Sequence, residues 1–295
     1  MSVIAIFGPT GVGKTGVALA LGDALRARGE DPVAISVDAL QVYAGLEILT
    51  GAATPAERDR LEHRLVAIVP VTATYSVAEH AARAHAEIDA ALAAGRAPIV
   101  VGGTGLYLRA ALAELDLKPP PAPEMRERLM ERLQAEGPER LHAELARRAP
   151  AVAERIAPRD AHRVIRALEL DALGEVHGEH AADQLWTAHT RRPTRLIGLT
   201  MDRDALYARI DVRVEAMVAA GAGDEVRAAD AAGASATARK ALGFAELMAG
   251  DVEAMKRRTR QYARRQLTWL RKLPDVELVD VTDRAPADVA RDLLQ

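Results

Sequence analysis

The 295-residue chain contains no cysteine. Disulfides, thiolate zinc sites and cysteine nucleophiles are thereby excluded. No apolar run approaches the ~18 residues that a membrane-spanning helix requires. The opening MSVIAIFG has no basic segment and reads as a strand rather than a signal peptide. Long disordered tracts are also missing, because a composition of 49% hydrophobic and 27% charged residues is that of a globular protein with a sizeable core. Internal repeats are absent, and the only biased stretches are alanine-rich helices. These absences leave a cytoplasmic enzyme with no membrane partner as the expectation.

The net charge of −3 argues against a polyanionic partner, but the average hides an asymmetry. Between Lys256 and Lys272 lie Arg257, Arg258, Arg260, Arg264, Arg265 and Arg271, with no acid among them. Apolar residues at Val252, Met255, Tyr262, Trp269 and Leu273 predict one long amphipathic helix there. Such a face is either merely solvated or turned towards phosphates; the missing acids favour the second.

Short β-branched runs alternate with helical segments in the first third: VIAIF (3–7), VAISV (33–37), LVAIV (65–69) and PIVVG (98–102). Alanine- and leucine-rich stretches such as 77–94 separate them. The pattern predicts parallel strands joined by crossover helices, covered on both faces. At LKPPPAP (117–123) three consecutive prolines impose a stiff segment and end the pattern. Residues 124–187 read as short charged helices punctuated by Pro138, Pro150 and Pro158. Strand character returns in RRPTRLIGLTMD (191–202) and in VELVD (276–280).

Gly8, Pro9, Thr10, Gly11, Val12, Gly13, Lys14 and Thr15 match the pattern G-x-x-x-x-G-K-T in full, between a strand and a helix. Backbone N–H groups and the helix N-terminus there favour an anion, Lys14 adds charge, and Thr15 can ligate Mg²⁺. The loop predicts a di- or triphosphate ligand without saying which. The expected fold is α/β, a P-loop NTPase-like parallel sheet flanked by helices (1–117 and 188–295), with an all-helical subdomain (118–187) inserted.

One part of a nucleotide hydrolase is missing. Such enzymes carry an apolar strand ending in Asp, which holds Mg²⁺ and orders the attacking water. Here the corresponding strand, APIVVGGTG, ends in Gly-Gly-Thr. The acid that closes an early strand is Asp38, in VAISVDALQVY, at the ligand-binding edge of such sheets. It suits a general base acting on an acceptor; a helix N-cap is the alternative.

Six stretches together resemble the bacterial tRNA dimethylallyltransferases: GPTGVGKT (8–15), SVDALQVYAGLEI (36–48), VGGTGLYLRA (101–110), RDAHRVIRALEL (159–170), ALGFAEL (241–247) and TRQYARRQLTWLR (259–271). The resemblance implies transfer of a dimethylallyl group from dimethylallyl diphosphate to the exocyclic N6 of the adenosine 3′ to the anticodon, releasing diphosphate. The loop would then cradle the diphosphate of an isoprenoid, with Mg²⁺ on Thr15. Asp38 would take the proton from the amine, a role worth roughly 10²–10⁴-fold. Lys14 and, by resemblance, Arg213 would stabilise the leaving group; otherwise Arg213 is a surface arginine of an amphipathic helix. Thr104 would face the target base, or cap the helix that follows.

The same resemblance assigns Asp38, Ala39, Leu40, Gln41 and Thr104 to the target nucleotide. It assigns Arg126, His162, Arg163 and Arg166 of the insertion, Lys240, Gly243 and Phe244 of KALGFA, and Arg264 and Arg265 of the basic helix to the tRNA anticodon stem-loop. An adenine inside a stacked loop must be extruded to react, so such a grip is required. A monomer is expected.

Departures from the family pattern are Ala39 for a serine, Leu49 for a glycine, Ala52 for a lysine, Arg64 for the second of two histidines, and Ala245 for a lysine. They bear on donor affinity and RNA contacts. Without cysteine, the zinc finger of eukaryotic relatives is absent. Three rivals remain: an ATP-dependent small-molecule kinase, an AMP or ADP isopentenyltransferase, and a non-enzymatic RNA-binding module. The last has no need of an intact Gly13-Lys14-Thr15.

Overall fold

A computed structural model describes residues 2–118, 121–175 and 185–295. Its strands are β1 (Val3–Phe7), β2 (Pro32–Ser36), β3 (Tyr43–Ala44), β4 (His63–Arg64), β5 (Val69–Pro70), β6 (Ala97–Gly102), β7 (Thr194–Thr200) and β8 (Val276–Asp280). Six form a parallel sheet in the order β4-β2-β6-β1-β7-β8, while β3 and β5 pair separately. Parallel neighbours need crossovers. Helices such as Lys14–Arg26, Val77–Ala93 and Arg203–Ala219 supply them.

Side chains alternate across the sheet. On β1, Ile6 faces a core with Val17, Leu21, Leu206 and Ile210, whereas Val3, Ala5 and Phe7 face one with Ile88, Leu108 and Leu270. Both faces are therefore covered, which is why β1 is apolar without a break. β6 lies between β1 and β2, with Phe7 opposite Gly102 and Ser36 opposite Val101. That register brings the three chain segments leaving these strands to one stretch of the carboxyl edge.

The run LVAIV (65–69) does not form one strand. Leu65 and Ala67 have φ of 60° and 52°, and the chain passes from β4, at the edge of the main sheet, into β5 of the small one. Left-handed residues cannot continue an extended ladder. Leu65, Val66 and Val69 are nevertheless buried, so the composition imitates a strand.

The chain divides into two compact units, Met1–Glu114 with Trp186–Gln295, and Leu115–Leu185. Among its described residues the second unit holds helices Pro123–Glu136, Pro138–Arg148, Pro150–Ala153 and Ala161–Ala172 and no strand. Pro138 and Pro150 start their helices, where the missing N–H has no bond to lose. Leu141, Leu145, Val164, Ile165 and Leu168 form its core. Residues 176–184 of the predicted helical stretch lie outside the described residues. Among the described residues no helix is long and apolar enough to cross a membrane.

Candidate active site

The glycine-rich loop joins β1 to the helix Lys14–Arg26, with Gly13 as its N-cap. Gly13 has φ of 103°, a conformation glycine adopts without steric cost. No side chain caps the helix, so its first N–H groups remain for an anion. Lys14 Nζ donates to the carbonyls of Gly8 and Pro9, at 2.9 Å each. Burial lowers its pKa to about 8; the charge of Asp38 opposes that shift and Arg213 adds to it. Lys14 and Thr15 line a cavity of about 370 Å³ that also touches Asp38, Gln41, Arg209 and Arg213.

Asp38 stands two residues beyond β2, after Val37. Its Oδ1 accepts from Leu40 N–H (3.0 Å), closing a turn, and the next helix begins only at Glu47. The helix-cap alternative therefore fails for Asp38. Thr104 does occupy the N-cap position of the helix Gly105–Leu112, but its side chain does not cap it. Instead Thr104 Oγ1 accepts from Ala39 N–H (3.3 Å) and lies 3.4 Å from the Tyr262 hydroxyl. Asp38 and Thr104 are thus held together through the backbone of Ala39. Replacing the family serine by Ala39 leaves this bond intact, since only a main-chain donor is used.

The helix Arg203–Ala219 is anchored by buried Leu206, Ile210 and Val214 and capped by Asp202, whose carboxylate accepts from Asp204 and Ala205 N–H. The anchored face turns Arg209 and Arg213 towards the cavity, one turn apart. Arg213 Nη2 lies 3.5 Å from Gly51 O, and burial works against its charge while Asp38 supports it. The surface-arginine alternative for Arg213 fails. Gln41 is also tied down: Oε1 accepts from the Ser36 hydroxyl (3.1 Å) and Nε2 donates to Gly51 O (3.2 Å).

Among the lining residues, Arg209 and Gln266 were not singled out in the sequence, and Tyr262 was read there only as an apolar helix position. The Tyr262 hydroxyl is pushed up to about 12, mainly by burial and further by the Asp38 charge, so it remains a donor at neutral pH. Met255, Thr259, Tyr262 and Gln266 recur at spacings of four, three and four residues and all line the cavity. Polar residues on that helical face were the signal available.

The remaining predicted positions are spread more widely. Leu40 lines the cavity, as does Leu49, whereas Ala52 is buried outside its lining. Arg64 pairs with Glu62 (2.8 Å) and Glu87 (2.5 Å). In the second unit Arg126 and Arg166 both hold the buried carboxylate of Glu169, at 3.0 and 3.2 Å, and Arg163 pairs with Asp160. His162 is exposed. Lys240 and Ala245 are exposed, but Phe244 is 2% exposed within the core. The Phe244 side chain packs the interior and cannot reach RNA.

The basic stretch is only half as free as its sequence implies. Lys256 pairs with Glu215 and Glu253, Arg257 with Asp251, Arg258 with Glu246 and Arg260 with Asp211. All of the neutralising acids lie outside the stretch, and Asp211, Glu215 and Glu246 lie far enough from their partners that a local reading could not see them. Among the described residues Arg264, Arg265, Arg271 and Lys272 have no acidic partner; Arg265 lies over the Tyr262 ring and Lys272 over that of Trp186.

Comparison with known proteins is consistent along the chain. The IPP transferase family model matches residues 41–273. The tRNA dimethylallyltransferase of Thermobifida fusca is 42% identical, over 96% of this chain and 93% of its own length. The full-length tRNA isopentenylpyrophosphate transferase of Bacillus halodurans superposes with a TM-score of 0.70 at 32% identity, over 99% of this chain and 95% of that one. A eukaryotic dimethylallyltransferase solved while acting on tRNA gives 0.71 at 25% identity, over 95% and 74% of the two chains.

Proposed function

The chain belongs to the IPP transferase family, and on that premise we propose that it transfers the dimethylallyl group of dimethylallyl diphosphate to N6 of the adenosine 3′-adjacent to the anticodon in tRNA, releasing diphosphate. The observation that carries the reading is one cavity lined by Asp38, Lys14, Arg209 and Arg213, with Thr104 outside the lining but tied beside Asp38 through Ala39 N–H and next to the lining Tyr262 hydroxyl. A carboxylate for an acceptor proton and a set of cations for a leaving anion meet there.

Adenine N6 is a poor nucleophile because its lone pair is delocalised into the ring. As the C–N bond forms, Asp38 accepts the N6 proton, so the amine never carries a full positive charge. Thr104 and Tyr262 offer hydroxyl groups beside it to orient the base. On the donor the C–O bond to diphosphate breaks, and negative charge grows on the departing oxygen. The N–H groups at the start of the helix Lys14–Arg26, the Lys14 ammonium and the guanidinium groups of Arg209 and Arg213 stabilise that charge.

A divalent ion fits this donor set in a limited way. Among the described residues no group of three or more His, Asp or Glu could hold a metal by itself. Mg²⁺ bound with substrate phosphates needs only one or two protein oxygens, and the Thr15 hydroxyl supplies one. Bound there, Mg²⁺ would add positive charge beside the diphosphate.

Arg264 and Arg265 are proposed to meet the RNA backbone, together with Lys240 and with His162 of the second unit, while Arg126, Arg163 and Arg166, each paired with an acid of that unit, are proposed to hold in shape the surface that the RNA meets. Residues 118–187 are proposed as the part that grips the anticodon arm. All the groups named come from one chain, so a monomer suffices.

The test is mass analysis of nucleosides from tRNA incubated with the protein, Mg²⁺ and dimethylallyl diphosphate. The expected product is adenosine heavier by one dimethylallyl group at the position after the anticodon. Turnover with ATP and RNA instead, or with free AMP and the isoprenoid donor, would overturn the reading.

A further inference from the structure

The helix Val252–Leu270 presents two different faces. Arg264 and Arg265 are exposed, while Met255, Thr259, Tyr262 and Gln266 line the cavity. Gln266 is 3% exposed, yet it is fully polar and uses both ends of its carboxamide. Oε1 accepts from Thr10 N–H in the phosphate loop (2.8 Å), and Nε2 donates to Gly103 O (2.7 Å), in the residue before Thr104. The neighbours leave one orientation of the amide, since a main-chain N–H must donate and a carbonyl must accept.

The Gly103 loop is pressed close to the phosphate loop. A Cβ at Gly103 would stand 2.3 Å from Gln266 Nε2, 3.2 Å from Gly8 O and 3.3 Å from Lys14 Nζ. No side chain fits between these groups. The phosphate loop leaves β1 and the Gly103–Thr104 turn leaves β6, and beyond the ends of those strands no ladder hydrogen bonds hold them in register. The carboxamide of Gln266 bridges that gap, from a residue more than 150 positions away in sequence from either partner.

We propose that Gln266 is a positioning residue for the transfer reaction: by holding Thr10 N–H and Gly103 C=O at a fixed separation, it sets the distance between the donor's leaving group on the phosphate loop and the acceptor base at Thr104. This inference rests on the proposed prenyl transfer. A bimolecular transfer is sensitive to such spacing, and a displacement of about 1 Å can cost on the order of 10²-fold in rate. Binding of either substrate alone is much less sensitive, because each half-site stays whole. The helix that bears Gln266 also bears Arg264 and Arg265, so RNA held on its outer face is registered to the donor by the same rigid element.

Two variants of the full chain test this, with wild type in the same assay. Gln266→Leu removes both bonds and is expected to lower kcat by roughly 10- to 100-fold while the KM values for dimethylallyl diphosphate and tRNA change by less than about 3-fold. Donor binding should remain at one per chain, so lost active fraction cannot account for the fall. Gln266→Glu keeps an acceptor for Thr10 N–H but sets a carboxylate against Gly103 O. Its kcat relative to wild type, measured at each pH from 8 down to about 5.5, should rise as the carboxyl protonates and regains a donor.

An unchanged kcat for Gln266→Leu, or a loss confined to donor KM, would overturn the proposal. Should the leucine variant not fold, the glutamate ratio decides, and a ratio flat with pH rejects the role. If wild type itself yields no prenylated adenosine, it is the proposed function that fails, not this inference alone.

Discussion

The two ends of the helix Val252–Leu270 and its exit carry much the same density of basic residues, but their surroundings differ. Lys256, Arg257, Arg258 and Arg260 each meet a carboxylate of this chain, whereas Arg264, Arg265, Arg271 and Lys272 meet none among the described residues. The second unit resembles the first group, with Arg126 and Arg166 closed on Glu169. The cavity resembles the second group, since Lys14, Arg209 and Arg213 have no salt bridge within 4 Å among the described residues. A cation whose counter-ion is built in serves the fold; one without it stands ready for an anionic ligand. The count of basic residues in a segment says little until their partners are known.

The comparison can be broken most sharply at the cavity. Asp38→Ala should lower kcat by roughly 10²–10⁴-fold with tRNA affinity nearly unchanged. A variant rate near wild type would assign the proton to another group.

Next in size is the insertion, where the paired class should act on stability rather than binding. Arg166→Ala leaves the buried Glu169 carboxylate to Arg126 alone. Because the arginines remain partly exposed, a loss of about 1–3 kcal/mol is expected in thermal or urea unfolding of the full chain. A stable variant with weakened tRNA binding would move Arg166 to the ligand-facing class.

Lys14 offers a pH test of the unpaired class. Its pKa in the fold lies near 8, below that of a free lysine, so the buried charge costs stability below pH 8 and the cost fades as pH rises above that value. Diphosphate reverses the balance by favouring the ammonium form. Donor affinity should be flat between about pH 7 and 8 and then weaken, by up to about tenfold per pH unit, as the lysine must take up a proton to bind. Calorimetric titration of donor across pH 7–10 reads this directly. An affinity level up to pH 9.5 would place the charge elsewhere.

The smallest effects belong to the helix itself. Replacing Arg264 and Arg265 together by alanine should weaken tRNA binding several-fold and reduce its salt slope by roughly one per lost phosphate contact. The matched pair Arg257→Ala and Arg258→Ala should change that slope much less. Equal slopes for the two double variants would erase the distinction drawn here.

Much of the fold was legible because local sequence carries it. VIAIF, VAISV, PIVVG and VELVD are strands, and the prolines at 138 and 150 start helices where they were read as punctuation. LVAIV failed because burial and strand conformation are separate properties: its side chains are inside, but two left-handed residues bend the backbone between sheets. At the site, the phosphate loop and Asp38 were visible as contiguous motifs. Gln266, Tyr262 and Arg209 were not, since each matters only through a partner far along the chain.

The amino-acid order alone determined the anion-binding turn, because a glycine spacing and a following helix need only neighbouring residues to form. It also showed an acid, Asp38, just beyond β2, and none at the end of β6, where the chain runs Gly-Gly-Thr. Only the tertiary structure decided which cations are already neutralised, that Thr104 turns to Ala39 and Tyr262 instead of capping its helix, and that one glutamine spans two loops. Electrostatic pairing and hydrogen bonding depend on distance in space, and side chains hundreds of positions apart have none until the sheet sets its register.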